Sequence, residues 1–139
     1  MQKTTFTSKV SPALGLAVNH LGGALEHYAQ KDFEKAEVEV WYASSEVEYA
    51  LFLLELDCTS TYEPADDALG EKLDFEFAIL KVQGLLKETI KNLETGKTEN
   101  VLRTLWLARR ILILTQREIE KSELQNPDGT RKPHTQRLH

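Results

Sequence analysis

Residues 32–56 read DFEKAEVEVWYASSEVEYALFLLEL, the longest amphipathic run in the chain. Advancing about 100° per residue from Phe33, Phe33, Ala36, Val40, Ala43, Val47, Ala50, Leu51 and Leu54 gather in one sector. That is the core face of a helix in a globular bundle, and its alanines point to a neighbouring helix at close range. Val38, Trp41, Tyr42, Tyr49, Phe52, Leu53 and Leu56 lie on the other side. Acidic stripes separate the two faces, with Glu37, Glu48 and Glu55 on one flank and Glu39 and Glu46 on the other. Asp32 is placed to cap the helix through its short acceptor side chain, and Glu34 suits the positive end of the dipole.

The second face is the unusual one. Trp, Tyr and Phe bury large areas and are enriched at interfaces. A chain of 139 residues covers one helix on both sides only if that helix is central. Otherwise the face is an interface between copies or one wall of a ligand groove, because apolar surface this continuous is seldom left in water. The expected interface residues are Trp41, Tyr42, Tyr49, Phe52 and Leu53.

Composition bounds the remaining choices. The length fits one domain, with 41% hydrophobic and 28% charged residues, the balance of an ordinary globular chain. The net charge of −5 argues against general nucleic-acid affinity. One cysteine, Cys58, excludes an intrachain disulfide and leaves a Cys58–Cys58 link between chains open. It has no adjacent histidine and no metal-ligand spacing, and reads as an idle thiol. The N-terminal MQKTTFTSKVSPALGLAV lacks the clean apolar block of a signal peptide. No run approaches the ~18 apolar residues of a membrane span, so the expected compartment is the cytoplasm and no membrane partner is expected.

Residues 1–10 read as a loose N-terminus, and Ser11-Pro12 as the start of a first helix reaching about Gln30. Its stripe is Leu14, Ala17, Val18, Leu21, Leu25 and Tyr28. Gly15, Gly22 and Gly23 each cost such a helix about 1 kcal/mol relative to alanine, a cost that close helix packing offsets. A short turn at Gln30-Lys31 makes the first two helices neighbours. The second helix ends near Asp57, and DCTSTYEP (57–64) is a loop. Pro64 opens a third helix with its main part from Glu71 to Glu94, striped by Phe75, Ile79, Val82, Leu86, Ile90 and Leu93. A smaller stripe holds Leu73, Phe77, Leu80 and Gly84. Thr95-Gly96 stops it, and Thr98 caps a fourth helix that has Glu99 in its first turn and runs to about Leu124. Val101, Leu105, Ala108, Leu112, Thr115 and Ile119 line that helix, with Leu102, Trp106, Arg109, Ile113 and Gln116 beside them. Asn126-Pro127-Asp128-Gly129 terminates it, and 125–139 reads as a basic, disordered tail. There is no internal repeat. The expected fold is all-α, a four-helix up-and-down bundle of one domain (11–124).

Chemistry is sparse. His20 and His27 are seven residues apart, roughly 10 Å along one helix face, which is too far for a shared metal. His134 and His139 lie in the tail. No Glu-x-x-His repeat of a di-iron bundle occurs, and there is neither a phosphate loop nor a recognisable Ser/His/Asp context. No catalytic residue, metal or cofactor is expected. Arg109, near Trp106 and Gln116, is expected to pair with a glutamate of the central helix, or alternatively to receive an anion. His20, His27, Arg109 and Gln116 therefore make the candidate ligand pocket. For nucleic acid, only Arg131, Lys132 and Arg137 of the tail offer a handle.

The segment HYAQKDFEKAEVEVWYASSEVEYALFLLEL, residues 27–56, resembles the central hairpin of HEPN domains and of tetratricopeptide-like hairpins. The shared pattern is a short turn, then Asp-aromatic-x-x-Ala, then aromatic-Ala. The HEPN resemblance implies a dimeric helical bundle in a toxin–antitoxin or RNA-cleaving system. Those nucleases carry an Arg, then four to six residues, then His; here Gln116 stands six residues after Arg110.

The leading expectation is a non-enzymatic interaction or scaffold module that self-associates as a homodimer through the aromatic face. A HEPN-like protein acting on RNA or a nucleotide is the second reading, and a small-ligand binder between helices the third.

Overall fold

The computed structural model describes residues 3–57 and 74–124, with side chains from 8 to 56 and from 74 to 121. It contains four helices: α1 Lys3–Ala29, α2 Phe33–Asp57, α3 Phe75–Glu94 and α4 Val101–Leu124. No strand occurs among the described residues. The all-α, four-helix reading holds. Each helix packs on two others: α1 on α2 and α3, and α4 on α2 and α3. Among the described residues, α1 makes no contact with α4, nor α2 with α3.

The two short links share one device. At the end of α1, the Asp32 N–H donates to the His27 carbonyl at 2.8 Å and the Lys31 N–H to the Tyr28 carbonyl at 2.9 Å. At the end of α3, the Lys97 N–H donates to Asn92 at 2.8 Å and the Gly96 N–H to Leu93 at 3.3 Å. Both are Schellman motifs, which satisfy the last carbonyls of a helix by putting one residue in the left-handed region. That residue is Gly96 at φ 81° in one and Lys31 at φ 63° in the other. The glycine signal was readable; a lysine in the same role was not. Asp32 then caps α2 by accepting from the Lys35 N–H at 3.3 Å, and Asp74 caps α3 by accepting from Phe77 at 3.2 Å.

Several boundaries differ from expectation. α1 begins at Lys3, not at Ser11, with Pro12 inside it. Pro12 cannot donate to the Ser8 carbonyl, yet Val10, Ala13, Leu14 and Ala17 on either side are buried, and that burial holds the helix through the lost bond. α4 begins at Val101 rather than at Glu99 after a Thr98 cap: Glu99 and Asn100 form a turn, and the Thr104 N–H donates to the Asn100 carbonyl at 2.9 Å. The loop 57–64 beyond Asp57, the start of the third helix at Pro64 and through Glu71, Cys58, Leu73 and the tail 125–139 lie outside the described residues.

The core lies where the four inner faces meet. α1 gives Val10, Leu14 and Leu21; α2 gives Val40, Val47 and Leu51; α3 gives Ile79, Val82 and Leu86; α4 gives Leu105, Ile111 and Leu112. Two buried hydroxyls stay satisfied within their own helices. Thr89 donates to the Leu85 carbonyl at 2.9 Å and Thr115 to the Ile111 carbonyl at 2.7 Å. Phe33 departs from its expected core position and is 42% exposed. As the first residue of α2 it lies at the turn and packs edge-on against Tyr28, ring centres 5.2 Å apart. Tyr28 also stacks on Phe75 at 4.1 Å and 13°, joining the end of α1 to the start of α3. Burial beneath these rings raises the Tyr28 hydroxyl above its usual range, and the Asp74 and Glu76 carboxylates raise it further.

Lys31 is the strained position of the first turn. Replacing it with glycine removes the steric cost of the left-handed conformation, offset in part by a freer unfolded chain. Lys31→Gly is expected to stabilise the fold by about 0.5–1 kcal/mol, read as a higher urea midpoint at unchanged slope. A lower midpoint would contradict this account of the turn.

Candidate functional site

The outer face of α2 is exposed. Trp41 is 55% and Phe52 56% exposed, and Val38, Tyr42, Tyr49 and Leu56 are similarly open. At about 100° per residue these residues and Ser45 fall in one sector about 100° wide, so they share one stripe about 27 Å long at 1.5 Å per residue. Leu53, expected on this face, is instead only 5% exposed and belongs to the core. It sits near the edge of the sector toward α1. The three-residue turn sends α1 back along α2, and the additional turns of α1 from Lys3 run beside the end of α2 where Leu53 lies. The four aromatic residues expected at an interface remain in the stripe: Trp41, Tyr42, Tyr49 and Phe52.

One edge of the stripe carries a polar cluster built between α1 and α2. His20 Nδ1 is 2.7 Å from Glu39 Oε1, and His27 Nε2 is 3.9 Å from Glu39 Oε2. One carboxylate thus bridges two histidines that were too far apart to share a ligand directly. Gly23 makes room for it: a Cβ there would meet Glu39 Cδ at 3.1 Å and Oε2 at 3.2 Å. Tyr42 closes the cluster from the stripe side, its ring stacked on His20 at 5.2 Å. The second ring nitrogen of His27, Nδ1, is buried without a hydrogen-bond partner among the described residues. No group of three or more His, Cys, Asp or Glu able to hold a metal occurs among the described residues. The neighbouring Gly22 serves α3 instead, where Gln83 Nε2 would lie 3.7 Å from its Cβ. That nitrogen donates to the Val18 carbonyl at 3.1 Å.

The other edge of the stripe faces α4. Arg109 Nε donates to Glu48 Oε2 at 2.5 Å, and the guanidinium lies over the Trp106 ring, 4.9 Å from its centroid. This is the expected ion pair with a central-helix glutamate, with a cation–π contact added. The four residues of the expected pocket do not converge. Glu39 and Glu48 are nine residues apart, about half a turn around α2 and roughly 13 Å along it. The two histidines therefore lie on one side of α2 and Arg109 on the other. Gln116 is half-buried on α4, a helix that α1 does not touch among the described residues. Sequence reasoning missed Glu39 as the residue that joins the histidines. Its signal was present in the Gly23 position, opposite a helix that carries an acid on the facing flank.

The basic residues Arg131, Lys132 and Arg137 lie outside the described residues. Among the described residues no helix is long and apolar enough to cross a membrane. No family model, curated protein or solved structure matches the chain.

The Arg109–Glu48 pair is partly exposed, so solvent screens it. A double-mutant cycle with Arg109→Ala and Glu48→Ala, followed by urea denaturation, is expected to give a coupling of about 0.5–1 kcal/mol. A coupling near zero would mean that the pair holds nothing together.

Proposed function

We propose that the protein is a non-enzymatic interaction module, a four-helix bundle that acts as a homodimer through the outer face of α2. The observation that carries this reading is the uncovered stripe Val38, Trp41, Tyr42, Tyr49, Phe52 and Leu56. Large apolar side chains scattered singly over a surface need no explanation, whereas a contiguous row on one helix marks a place where another surface belongs. Tryptophan and tyrosine are the residue types that carry interface energy. Tyr28 of α1 meets Phe75 of α3 while Val18 meets Gln83, so α1 and α3 run in opposite directions, unlike the expected up-and-down order in which they would be parallel. The polar residues near the stripe are already occupied with one another: Glu39 with the histidines and Glu48 with Arg109. They frame the apolar row and leave it as the dominant free surface of α2.

Light scattering on the wild type and on a Trp41→Glu, Phe52→Glu double variant tests this. The expected result is a wild-type dimer and a folded monomeric variant, with circular dichroism unchanged because both side chains lie outside the core. A wild type that is monomeric at all accessible concentrations would rule out the homodimer.

A further inference from the structure

We infer that two copies pair with their α2 helices antiparallel and cross at Ser45. This rests on the homodimer reading above and adds its geometry. Ser45 lies in the middle of the exposed stripe and is its one small residue. Packed helices approach to about 8–10 Å, set by the side chains at the point of contact, so the closest approach falls where the side chain is smallest. Ser45 also brings no unmet polar group to that point. Its hydroxyl donates to the Trp41 carbonyl of its own helix at 3.2 Å, and covering it forfeits little hydration.

The pattern around Ser45 is self-complementary when the second helix runs the other way. Four residues to either side, Trp41 of one copy meets Tyr49 of the other. Seven residues to either side, Val38 meets Phe52. Each pair sets a larger ring against a smaller side chain, and each occurs twice, as an isologous two-fold interface requires. A parallel pair would set Trp41 on Trp41 and Val38 on Val38, overfilling one level and leaving a gap at another. It would also align the helix dipoles head to head, whereas the antiparallel pair opposes them.

The area is in the required range. Six side chains of the stripe are about half exposed. With ~150–250 Å² for a large aromatic residue, they supply about 500–600 Å² per copy. Rim atoms bring this toward the ~800 Å² per partner of a standard interface. The acidic flanks do not forbid the pairing, since Glu48 is paired with Arg109 and Glu39 is held by His20 within each copy. What repulsion Glu46 and Glu55 leave is screened by salt over a Debye length of about 8 Å. Association between two copies should therefore tighten as salt is raised, whereas a partner helix with basic flanks would bind more weakly.

Site-directed crosslinking tests the geometry. In a chain carrying Cys58→Ser, Ser45→Cys places two thiols at the crossing, within the ~7 Å between Cα atoms that a disulfide needs. Tyr49→Cys in the same background places its two copies about 12 Å apart along the helix axes, out of reach. Under mild oxidation the Ser45→Cys chain should run mostly as a disulfide-linked dimer, and the Tyr49→Cys chain as a monomer on a denaturing gel. Light scattering on both variants before oxidation verifies that each still associates. If the chains associate but Ser45→Cys fails to link, or Tyr49→Cys links as well, the antiparallel crossing is overturned and the homodimer survives. If the wild type is a monomer, both readings fall. Titration of that monomer with a synthetic amphipathic peptide flanked by lysines then decides whether a basic helix is the occupant instead.

Discussion

The close approach of α1 and α2 over alanine sets the rest of the structure. Ala13, Ala17 and Ala24 of α1 and Ala36, Ala43 and Ala50 of α2 are all buried, and the α2 alanines recur every seven residues on the flank that carries Glu39. Small side chains let two helices pack at short range, where dispersion contacts between them are dense. That proximity explains Gly23. With the helix axes close, the Glu39 carboxylate reaches α1 only where no Cβ stands in its way, and from there it meets both His20 and His27.

The same constraint decides where the bulk of α2 goes. A helix that devotes one side to alanine and its centre to Val40, Val47 and Leu51 has little room inside for large rings. Trp41, Tyr42, Tyr49 and Phe52 therefore stand on the outside, and the edges of their stripe join the body through Tyr42 on His20 and Glu48 on Arg109. α2 is thus bonded inward by close packing and framed by Glu39 and Glu48 with their partners, with a continuous apolar row between them. A helix of this kind leaves an apolar face open, the face that the proposed homodimer would cover.

Much of this was legible in the sequence, for identifiable reasons. The 3.6-residue period separated Ala36, Val40, Ala43 and Val47 from Trp41, Tyr49 and Phe52 without ambiguity, since each set fills its own sector. Asp32 as a cap and Gly96 as a stop were readable because their chemistry is local. What failed depended on distant parts of the chain. Leu53 lies between the two faces by angle, and its burial was decided by how far α1 extends. The start of α1 was misplaced because Pro12 is a stronger local signal than the burial of Val10 that overrides it. The pocket of His20, His27, Arg109 and Gln116 assumed that α1 and α4 touch. They occupy opposite corners of the bundle, and no local pattern encodes that.

The claim at the centre of this account is that the row on α2 is covered in the assembled protein. With Trp106→Phe, Trp41 becomes the sole indole of the two in the chain, and its fluorescence reports on that row alone. If two copies cover that row, the emission is blue-shifted and quencher-shielded at high protein concentration and moves to longer wavelength on dilution, as the copies separate. An emission already at the fully hydrated wavelength and unchanged across the whole concentration range would contradict it.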